Sequence, residues 1–478
     1  MKTKAKFVES LRKQKPKVYL HGEKVENIVD HPMFRIPIES VGVECDLINN
    51  PKYQDLTTKI SPLINTRVSR WYALWESAED MVAFQHMLRE LVPLFVCIPG
   101  CEVTSILNAM WIATHDVDKV YNTNYHDRFV NYLKHVQKNG VMLTGAITDV
   151  RGDRSKRPSE QADPDMYLHV VERRKDGIVV RGAKASNTGG PVANEIFAMP
   201  TRAMREDEKD FCAAFAIPVD TEGVIFLART WGAPEAKGEI DQPLSRRFGL
   251  CEATTFFDNV FVPWDRVFLC GEPEGSESAI NTFIQNRGVF CGCRAGRIDA
   301  IIGAAALIAE YNGVPQASHI RRKITEMIIG AETVYALAYT AATVGTQHPS
   351  GVFSASSLEA NVGRLLATYR LSECFPSLMD ITGGLIVTSP FEEELKNPET
   401  KKYVDKYLKA KPDVPAEHRL RLIKYIEDMV AGKVGDWMLP ESILGSGPTE
   451  NQMIDIWNGY DLEKRKRTAK LNAGIIKE

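Results

Sequence analysis

Hydrophobic residues follow a helical period in the first third of the chain. Between about Thr57 and Lys138 they recur three and four positions apart, as in SRWYALWESAEDMVAFQHMLRELV. Glycine commonly ends a helix, so we predict a helical domain over residues 1–140 whose last helix stops at Gly140. The first 50 residues lack a clear period and predict an irregular lead-in with short extended pieces.

The pattern changes to alternation from Val141 to about Phe268. Segments such as GIVVRGAKA, CAAFAIPV and TTFFDNVFV are rich in β-branched and aromatic residues, and turn sequences such as KDG separate them. We predict an antiparallel sheet or barrel over residues 141–272. After Pro273 the helical period returns in four long segments, which predict a helical bundle over residues 273–478. The predicted fold class is α+β.

Composition limits the binding partners and the cellular compartment that can be expected. The chain has 478 residues, of which 44% are hydrophobic and 25% charged, and its net charge is −3. Such a charge gives no general attraction to nucleic acid or to anionic lipid, so neither partner is expected. No apolar run is long enough to span a bilayer, and the basic N-terminus has no apolar signal region. Nine cysteines without such a signal predict a reducing, cytoplasmic location.

Two close pairs of cysteines are the first candidates for chemistry. Cys97 and Cys101 lie in PLFVCIPGCEV, and Cys291 and Cys293 lie in NRGVFCGCRAGR. Thiolates gathered beside Gly and Pro commonly hold iron or zinc, although each of these spacings alone is a weak signal. On the residues alone, small buried packing residues are the competing interpretation.

Hydroxyl groups and glycines at element ends form a second set of candidates. Hydroxyls at strand ends can bind the polar edge of a heterocycle, and a Gly-Gly pair at a helix boundary can hold a pyrophosphate through its amides. A surface loop, a hairpin turn and a helix cap are the alternatives. The candidates are Thr144, Thr148, Thr188, Gly189, Asp380, Gly383 and Gly384.

Two carboxylates have surroundings that suit proton transfer. Glu252 lies in the aromatic-rich segment FGLCEATTFFDNVFVP, and Glu441 lies in MLPESILGSG. An apolar setting raises the pKa of a carboxyl group, so we expect both groups to be candidate general acids or bases. A buried glutamate satisfied by a partner is the alternative. The ten histidines form no metal-binding spacing, and His319, among cations, could meet a phosphate.

The order of several long segments carries a family resemblance. LTGAITDVRGDR, EATTFFDNVFVPWDRVFLC, CRAGRIDAIIGAAALIAEYNG and DITGGLIVTSP follow one another as in the 4-hydroxybutyryl-CoA dehydratase/vinylacetyl-CoA Δ-isomerase family, which the chain resembles over about residues 20–478. That family belongs to the 4-hydroxyphenylacetate 3-hydroxylase superfamily. The resemblance implies an acyl-CoA dehydrogenase-like fold with an N-terminal helical domain, a middle β domain and a C-terminal four-helix bundle, usually in a homotetramer.

The resemblance also implies FAD and a [4Fe–4S] cluster held by three cysteines and one histidine. Cys97, Cys101 and Cys293 match the cysteine ligands, whereas Asn286 stands at the position of the histidine. The family tyrosine and lysine are replaced by Phe290 and Arg294, and the two family carboxylates match Glu252 and Glu441. The fourth ligand is left open between Cys291, Asn286 and an exchangeable molecule.

The implied reaction is a radical elimination of water from a hydroxyacyl-CoA. A base removes the α-proton, the flavin accepts one electron, and the cluster holds the hydroxyl group as it leaves. With the histidine replaced, Glu252 or Glu441 is the expected proton-transfer group. The alternatives are a reduced-flavin aromatic monooxygenase of the hydroxylase branch, a divergent flavoprotein with a changed reaction, and a flavin-binding paralogue without activity. The flavin is expected between the β domain and the bundle, with Asp380, Gly383 and Gly384 contributed by a neighbouring subunit.

Overall fold

The structure, a computed structural model, describes residues 1–97 and 100–476. The helices of the first 140 residues are α1 (Lys4–Lys13), α2 (Arg35–Asn49), α3 (Gln54–Thr57), α4 (Ala78–Phe95), α5 (Cys101–Tyr121) and α6 (Tyr125–Asn139). Ser77 caps α4 by accepting a hydrogen bond from the backbone N–H of Asp80. Gly140 ends α6 with a left-handed φ of 58°, as its sequence position predicts.

Two parts of this region differ from the predicted pattern. The lead-in contains the helices α1 and α2 together with the strands β1 (Lys17–Leu20) and β2 (Glu23–Val25). Residues 58–69, predicted as helical, form a hairpin of β3 (Thr58–Ser61) and β4 (Thr66–Ser69). Its alternating Thr, Ile and Val residues suit a strand, and the helical period begins only with α4.

The middle segment contains eight strands. They are β5 (Leu143–Ala146), β6 (His169–Arg173), β7 (Gly177–Thr188), β8 (Glu195–Ala198), β9 (Ala213–Pro218), β10 (Val224–Thr230), β11 (Cys251–Pro263) and β12 (Val267–Cys270). They form two sheets, ordered β2-β1-β10-β11-β7-β6 and β12-β9-β8-β5. The pairing is antiparallel except for β1 with β10 and β5 with β8. The larger sheet takes strands from both of the first two predicted domains, and the boundaries at residues 140 and 272 stay predictions.

Helices dominate the remainder, as predicted. They are α7 (Pro273–Asn286), α8 (Cys291–Tyr311), α9 (Ser318–Thr343), α10 (Ser357–Thr382), α11 (Leu385–Thr388), α12 (Glu392–Lys396), α13 (Pro398–Tyr407), α14 (Ala416–Val430), α15 (Lys433–Leu444), α16 (Thr449–Gly459) and α17 (Leu462–Asn472). A small hairpin, β13 (Thr346–Gln347) and β14 (Phe353–Ser354), connects α9 to α10. The predicted order of helical, β and helical segments and the α+β class are confirmed.

Two large hydrophobic cores hold these segments together. The first joins the N-terminal helices to both sheets and includes Trp71, Phe84, Phe129 and Phe268. The second lies inside the bundle, where Ile301, Leu371 and Ile426 come from α8, α10 and α14. Within the described ranges, no helix combines the length and the hydropathy needed to cross a lipid bilayer. The chemistry-bearing residues lie where α8 and α15 meet the ends of β7 and β11.

Candidate active site

Strand register places Glu252 beside Thr188. The two residues pair across β11 and β7, and Thr188 Oγ1 donates to both carboxylate oxygens at 2.9 and 3.1 Å. Trp437 Nε1, on α15, donates to the same carboxylate at 3.3 Å. Burial raises the pKa of Glu252 to about 7, while these two hydrogen bonds oppose the rise. This carboxyl group can therefore exchange a proton near neutral pH, as the sequence predicts.

Glu441 lies in a different electrostatic setting. Arg294 donates to both of its oxygens at 3.2 Å, and Arg297 donates to one of them at 2.5 Å. Burial acts to raise the pKa of Glu441, but the two guanidinium groups together lower it to about 2. The prediction of a raised pKa is wrong for this residue. The segment around Glu441 is apolar, and both arginines come from α8, far away in the sequence.

The three predicted cluster ligands lie close enough to influence one another. Cys101 is the first residue of α5 and Cys293 lies in the first turn of α8, where helix N-termini favour negative charge. Burial raises the pKa of the Cys97 thiol most strongly, Arg297 opposes the rise, and Cys101 and Cys293 add to it. Burial likewise raises the pKa of Cys101 to about 12, with a further contribution from Cys293. Such thiols ionise readily only when a cation binds them.

Basic side chains surround these thiols. Arg294 Nη1 lies 4.0 Å from Cys293 Sγ, and Arg287 lies 3.5 Å from a carboxylate oxygen of Glu102. The fully buried Arg297 has two nitrogens, Nε and Nη2, without a hydrogen-bond partner among the residues described. Buried donors of this kind suit a bound anionic or carbonyl group, because an unpaired buried N–H is unfavourable. The site therefore fits a negatively charged thiolate-bound cluster.

The residues near the expected histidine position are also buried. Asn286 is the last residue of α7, and its Oδ1 accepts a hydrogen bond from the backbone N–H of Ala355 at 3.5 Å. Its Nδ2 is buried and has no partner within the described part of the chain. Cys291 packs in an apolar cluster with Val334 and Ala338 of α9. Its position therefore argues against Cys291 as the replacement ligand.

The residues predicted to contact the flavin ring differ in whether their polar groups already form hydrogen bonds within the protein. Thr144 is buried, and its hydroxyl is already hydrogen-bonded. It donates to the carbonyl of Thr188 and accepts from Asn187 Nδ2 at 2.7 Å. Thr148 follows β5 and is half-buried. Gly189 has a left-handed φ of 77°, and its N–H donates to the carbonyl of Cys251 at 2.6 Å. Thr144 and Gly189 thus position Thr188, whose hydroxyl faces Glu252.

The candidates for the other end of the flavin lie on the bundle surface. Asp380, near the end of α10, is exposed and pairs with Lys323 of α9. Gly383 and Gly384 follow, and a side chain built at either glycine would meet no described atom within 4 Å. None of the three has a described hydrogen bond or ion pair to the β sheets, so a contribution to a flavin site from a neighbouring subunit stays a prediction.

An apolar cleft borders this region. Its lining includes Cys97, Trp231, Phe248, Lys433 and Trp437. Trp437 thus contacts both the cleft and the Glu252 carboxylate. The cleft therefore borders the site at Cys97 and Trp437.

Sequence reasoning missed Arg297, Trp437, Arg287 and Glu102 as members of the site. Arg294 and Arg297 stand three positions apart in the apolar helix CGCRAGRIDAIIGAAAL, so they share one face. Buried arginines in such a helix are unusual, and this signal could have identified them. Trp437 carries no comparable signal, because its role depends on how α15 meets β11.

Comparison with known proteins assigns the family. The models for the N-terminal and C-terminal parts of 4-hydroxyphenylacetate 3-hydroxylase match residues 3–269 and 279–474. The 4-hydroxybutyryl-CoA dehydratase/vinylacetyl-CoA-Delta-isomerase of Clostridium aminobutyricum is 37% identical over 488 residues, covering 99% of each chain. The chain belongs to this dehydratase/isomerase family. It is therefore an enzyme, and the resemblance found in the sequence is confirmed.

Solved structures agree with this assignment. An oxygen-tolerant archaeal 4-hydroxybutyryl-CoA dehydratase from N. maritimus matches with a TM-score of 0.94 at 36% identity, over 100% of this chain and 96% of that one. The oxygenase component of 4-hydroxyphenylacetate 3-monooxygenase complexed with FAD matches with a TM-score of 0.89 at 24% identity, over 99% of each chain. The second match shows the same fold. Close homology to the first supports a dehydratase/isomerase.

Proposed function

We propose that this dehydratase/isomerase removes water from a hydroxyacyl-CoA and shifts the double bond of a related enoyl-CoA, using FAD and a [4Fe–4S] cluster. The observation that carries the proposal is one continuous buried network. Glu252, whose pKa is about 7, is joined through Trp437 to the Arg297–Glu441 pair beside the cysteines. The dehydratase relatives support an acyl-CoA as the substrate class.

Three thiols would hold the cluster. Cys97, Cys101 and Cys293 supply sulfur, and the helix N-termini together with Arg297 balance the negative charge. Asn286 takes no part in proton transfer, because an amide does not titrate near neutrality. Its unpartnered Nδ2 supports a role in binding the substrate or the edge of the cluster. The fourth position is then left to substrate, water or Asn286.

Thr188 and Thr148 would contact the flavin ring, and Asp380, Gly383 and Gly384 of a second subunit would approach its pyrophosphate. The FAD-bound hydroxylase of the same fold supports this cofactor. When bound, the flavin supplies one-electron redox chemistry and the cluster supplies a Lewis acid for the departing hydroxyl group, as a radical elimination requires.

The protein's own groups would manage the proton and the charge. Glu252 accepts the α-proton, since its pKa lies near ambient pH and Thr188 and Trp437 hold its carboxylate in place. Glu441 stays ionised and orients Arg294 and Arg297. The free N–H groups of Arg297 would stabilise the negative charge that develops on the thioester oxygen.

The roles of the base and of the cluster can be tested separately by assaying two substrates. Moving the double bond of vinylacetyl-CoA transfers a proton and releases no group, whereas dehydration of 4-hydroxybutyryl-CoA also releases hydroxide. We expect anaerobically purified protein to catalyse both reactions and the Cys101→Ser variant to lose dehydration while keeping isomerisation. An absence of both reactions in protein that contains iron, sulfide and flavin would overturn the proposal.

A second candidate is a reduced-flavin aromatic monooxygenase, which the hydroxylase family models favour. That enzyme would have no need of three neighbouring thiols beside three arginines. Oxygen-dependent hydroxylation of 4-hydroxyphenylacetate by iron-free protein with reduced FAD would support this alternative.

A further inference from the structure

A second group of ligand-type side chains lies at the far end of α5 from Cys101. His115, Asp116 and His348 each present one nitrogen or oxygen atom, and these atoms all lie within 4.8 Å of one another. Fourteen residues of helix separate Cys101 from His115, which at 1.5 Å per residue is about 21 Å. Among residues 1–97 and 100–476, no other three such side chains meet this spacing. The group is therefore distinct from the active site.

The geometry brings all three side chains toward one point. Asp116 uses both carboxylate oxygens, with Oδ1 lying 3.1 Å from His115 Nδ1 and Oδ2 lying 3.3 Å from His348 Nε2. The side chains of His115 and His348 are 19% and 24% exposed, so an ion could reach them from solvent and still be largely enclosed. His126 lies next to this group, but its Nδ1 pairs with Thr114 Oγ1 at 3.0 Å.

His348 is already oriented by its own turn. It follows β13 and begins the turn of the β13–β14 hairpin, and its Nδ1 lies 2.9 Å from Ser350 Oγ. The same Nδ1 accepts a hydrogen bond from the backbone N–H of Ser350 at 3.2 Å, so the turn fixes the orientation of the ring and directs Nε2 toward Asp116. Trp111 Nε1, one turn before His115, donates to the carbonyl of Ser350 at 3.1 Å. The turn is therefore docked on α5 before any ion binds.

We propose that His115, Asp116 and His348 bind one divalent transition-metal ion of the zinc type, which fastens the β13–β14 hairpin to α5. Two imidazole nitrogens and one carboxylate oxygen form a donor set that zinc accepts, with water in the remaining position. Calcium and magnesium are disfavoured, because they prefer oxygen ligands.

The hairpin also connects this site to the region near Asn286. The backbone N–H of Phe353 donates to the carbonyl of Trp75 at 2.7 Å, and that of Ala355 donates to Asn286 Oδ1. An ion at the three side chains would hold one end of the hairpin, while these bonds hold the other. The ion's role is thus structural, and its binding does not depend on the proposed reaction.

Zinc content and thermal stability test the proposal on the full chain. Protein dialysed against chelator and then supplied with Zn²⁺ is compared with the His348→Ala and Asp116→Asn variants. His319→Ala, an exposed histidine on α9, is the control. We expect both variants to bind one zinc ion fewer than the wild type and to lose the zinc-dependent rise in unfolding temperature, while the control keeps both. Zinc bound by the cysteines is common to all four proteins.

Anomalous diffraction at the zinc edge locates the ion directly. A peak enclosed by His115, Asp116 and His348 is expected in zinc-soaked crystals. The proposal is wrong if zinc occupies other sites and gives no peak here. Equal zinc content in the wild type and both variants would also overturn it. Asp116→Asn preserves the shape of the side chain, so its result stands if His348→Ala fails to fold.

Discussion

The two glutamates of the site show how environment separates groups of the same chemistry. Glu252 is buried among neutral donors, so its pKa rises to about 7, whereas Glu441 faces two arginines and its pKa falls to about 2. Only Glu252 can both hold and release a proton near neutral pH. Both residues could be identified from the sequence, but their opposite pKa shifts could not, because the arginines that lower the pKa of Glu441 come from another helix.

Changing Trp437 should move the pH dependence of the reaction. A base must be ionised, so the rate is expected to fall as the pH drops through the pKa of Glu252, about 7. The hydrogen bond from Trp437 lowers that pKa, so Trp437→Phe should shift the acidic limb of the pH–rate profile to higher pH. Tyr425→Phe, a half-buried change on α14 outside the site, should leave the limb in place. If the acidic limb does not shift in Trp437→Phe, Glu252 is not the base.

Removing the charge of Glu441 should weaken the fold. Glu441→Gln leaves Arg294 and Arg297 without their carboxylate, so we expect the free energy of unfolding to fall by about 2 kcal/mol. The exposure of a quarter of the Glu441 side chain limits the size of this effect. Its folded-state pKa is depressed, so its contribution is complete above the unfolded value of 4.5 and disappears as the pH falls toward about 2.

Urea unfolding at several pH values measures this difference. The difference in free energy of unfolding between wild type and Glu441→Gln should be largest at neutral pH and should shrink as the pH falls below 4.5. Replacing the exposed Glu450 by Gln should leave the free energy of unfolding unchanged. A difference that does not depend on pH would mean that packing, rather than charge, stabilises this contact.

At the scale of elements, the N-termini of α5 and α8 bring Cys101 and Cys293 to one place. The sequence predicted both helices, since their apolar periods are long. It did not predict α1, α2 or the β3–β4 hairpin. The first and the last are short, and α2, although 15 residues long, contains Pro37 and Gly42, so packing against the rest of the chain decides these elements. The pairing of Thr188 with Glu252 is a matter of strand register, which sequence alone does not fix.

Replacing one cysteine at a helix start should reduce the iron content. We expect Cys101→Ser, purified without oxygen, to lose most of its iron and acid-labile sulfide, since a hydroxyl is a poor ligand for this cluster. Cys374→Ser is the matched control, because Cys374 is buried within α10 in the core of the bundle. Equal iron in both variants would exclude Cys101 as a ligand.

At the scale of the whole molecule, large apolar side chains are exposed on several C-terminal helices. Val387, Leu444 and Trp457 are 84%, 76% and 68% exposed in the single chain. Large exposed apolar groups mark association surfaces, which supports the predicted homo-oligomer. The order of helical, β and helical segments was predictable from periodicity, whereas the exposure of these side chains was not.

Adding a charge at one of these exposed apolar positions should change the oligomer size. Light scattering after size-exclusion chromatography should show a homo-oligomer for the wild type and smaller species for Trp457→Glu. FAD affinity should fall with it if Asp380, Gly383 and Gly384 act across subunits. A wild-type monomer that binds FAD normally would contradict both expectations.

Hydrogen exchange at the substrate α-carbon tests the central role of Glu252 most directly. Vinylacetyl-CoA is incubated with enzyme in deuterated water, and deuterium incorporation is followed by mass spectrometry for wild type, Glu252→Gln, Glu441→Gln and Asn286→His. We expect exchange in the wild type and in Asn286→His, and its loss in Glu252→Gln, while Glu441→Gln keeps measurable exchange because Glu441 positions the arginines and carries no proton at neutral pH. Full exchange in Glu252→Gln would show that another group removes the proton and would contradict this account.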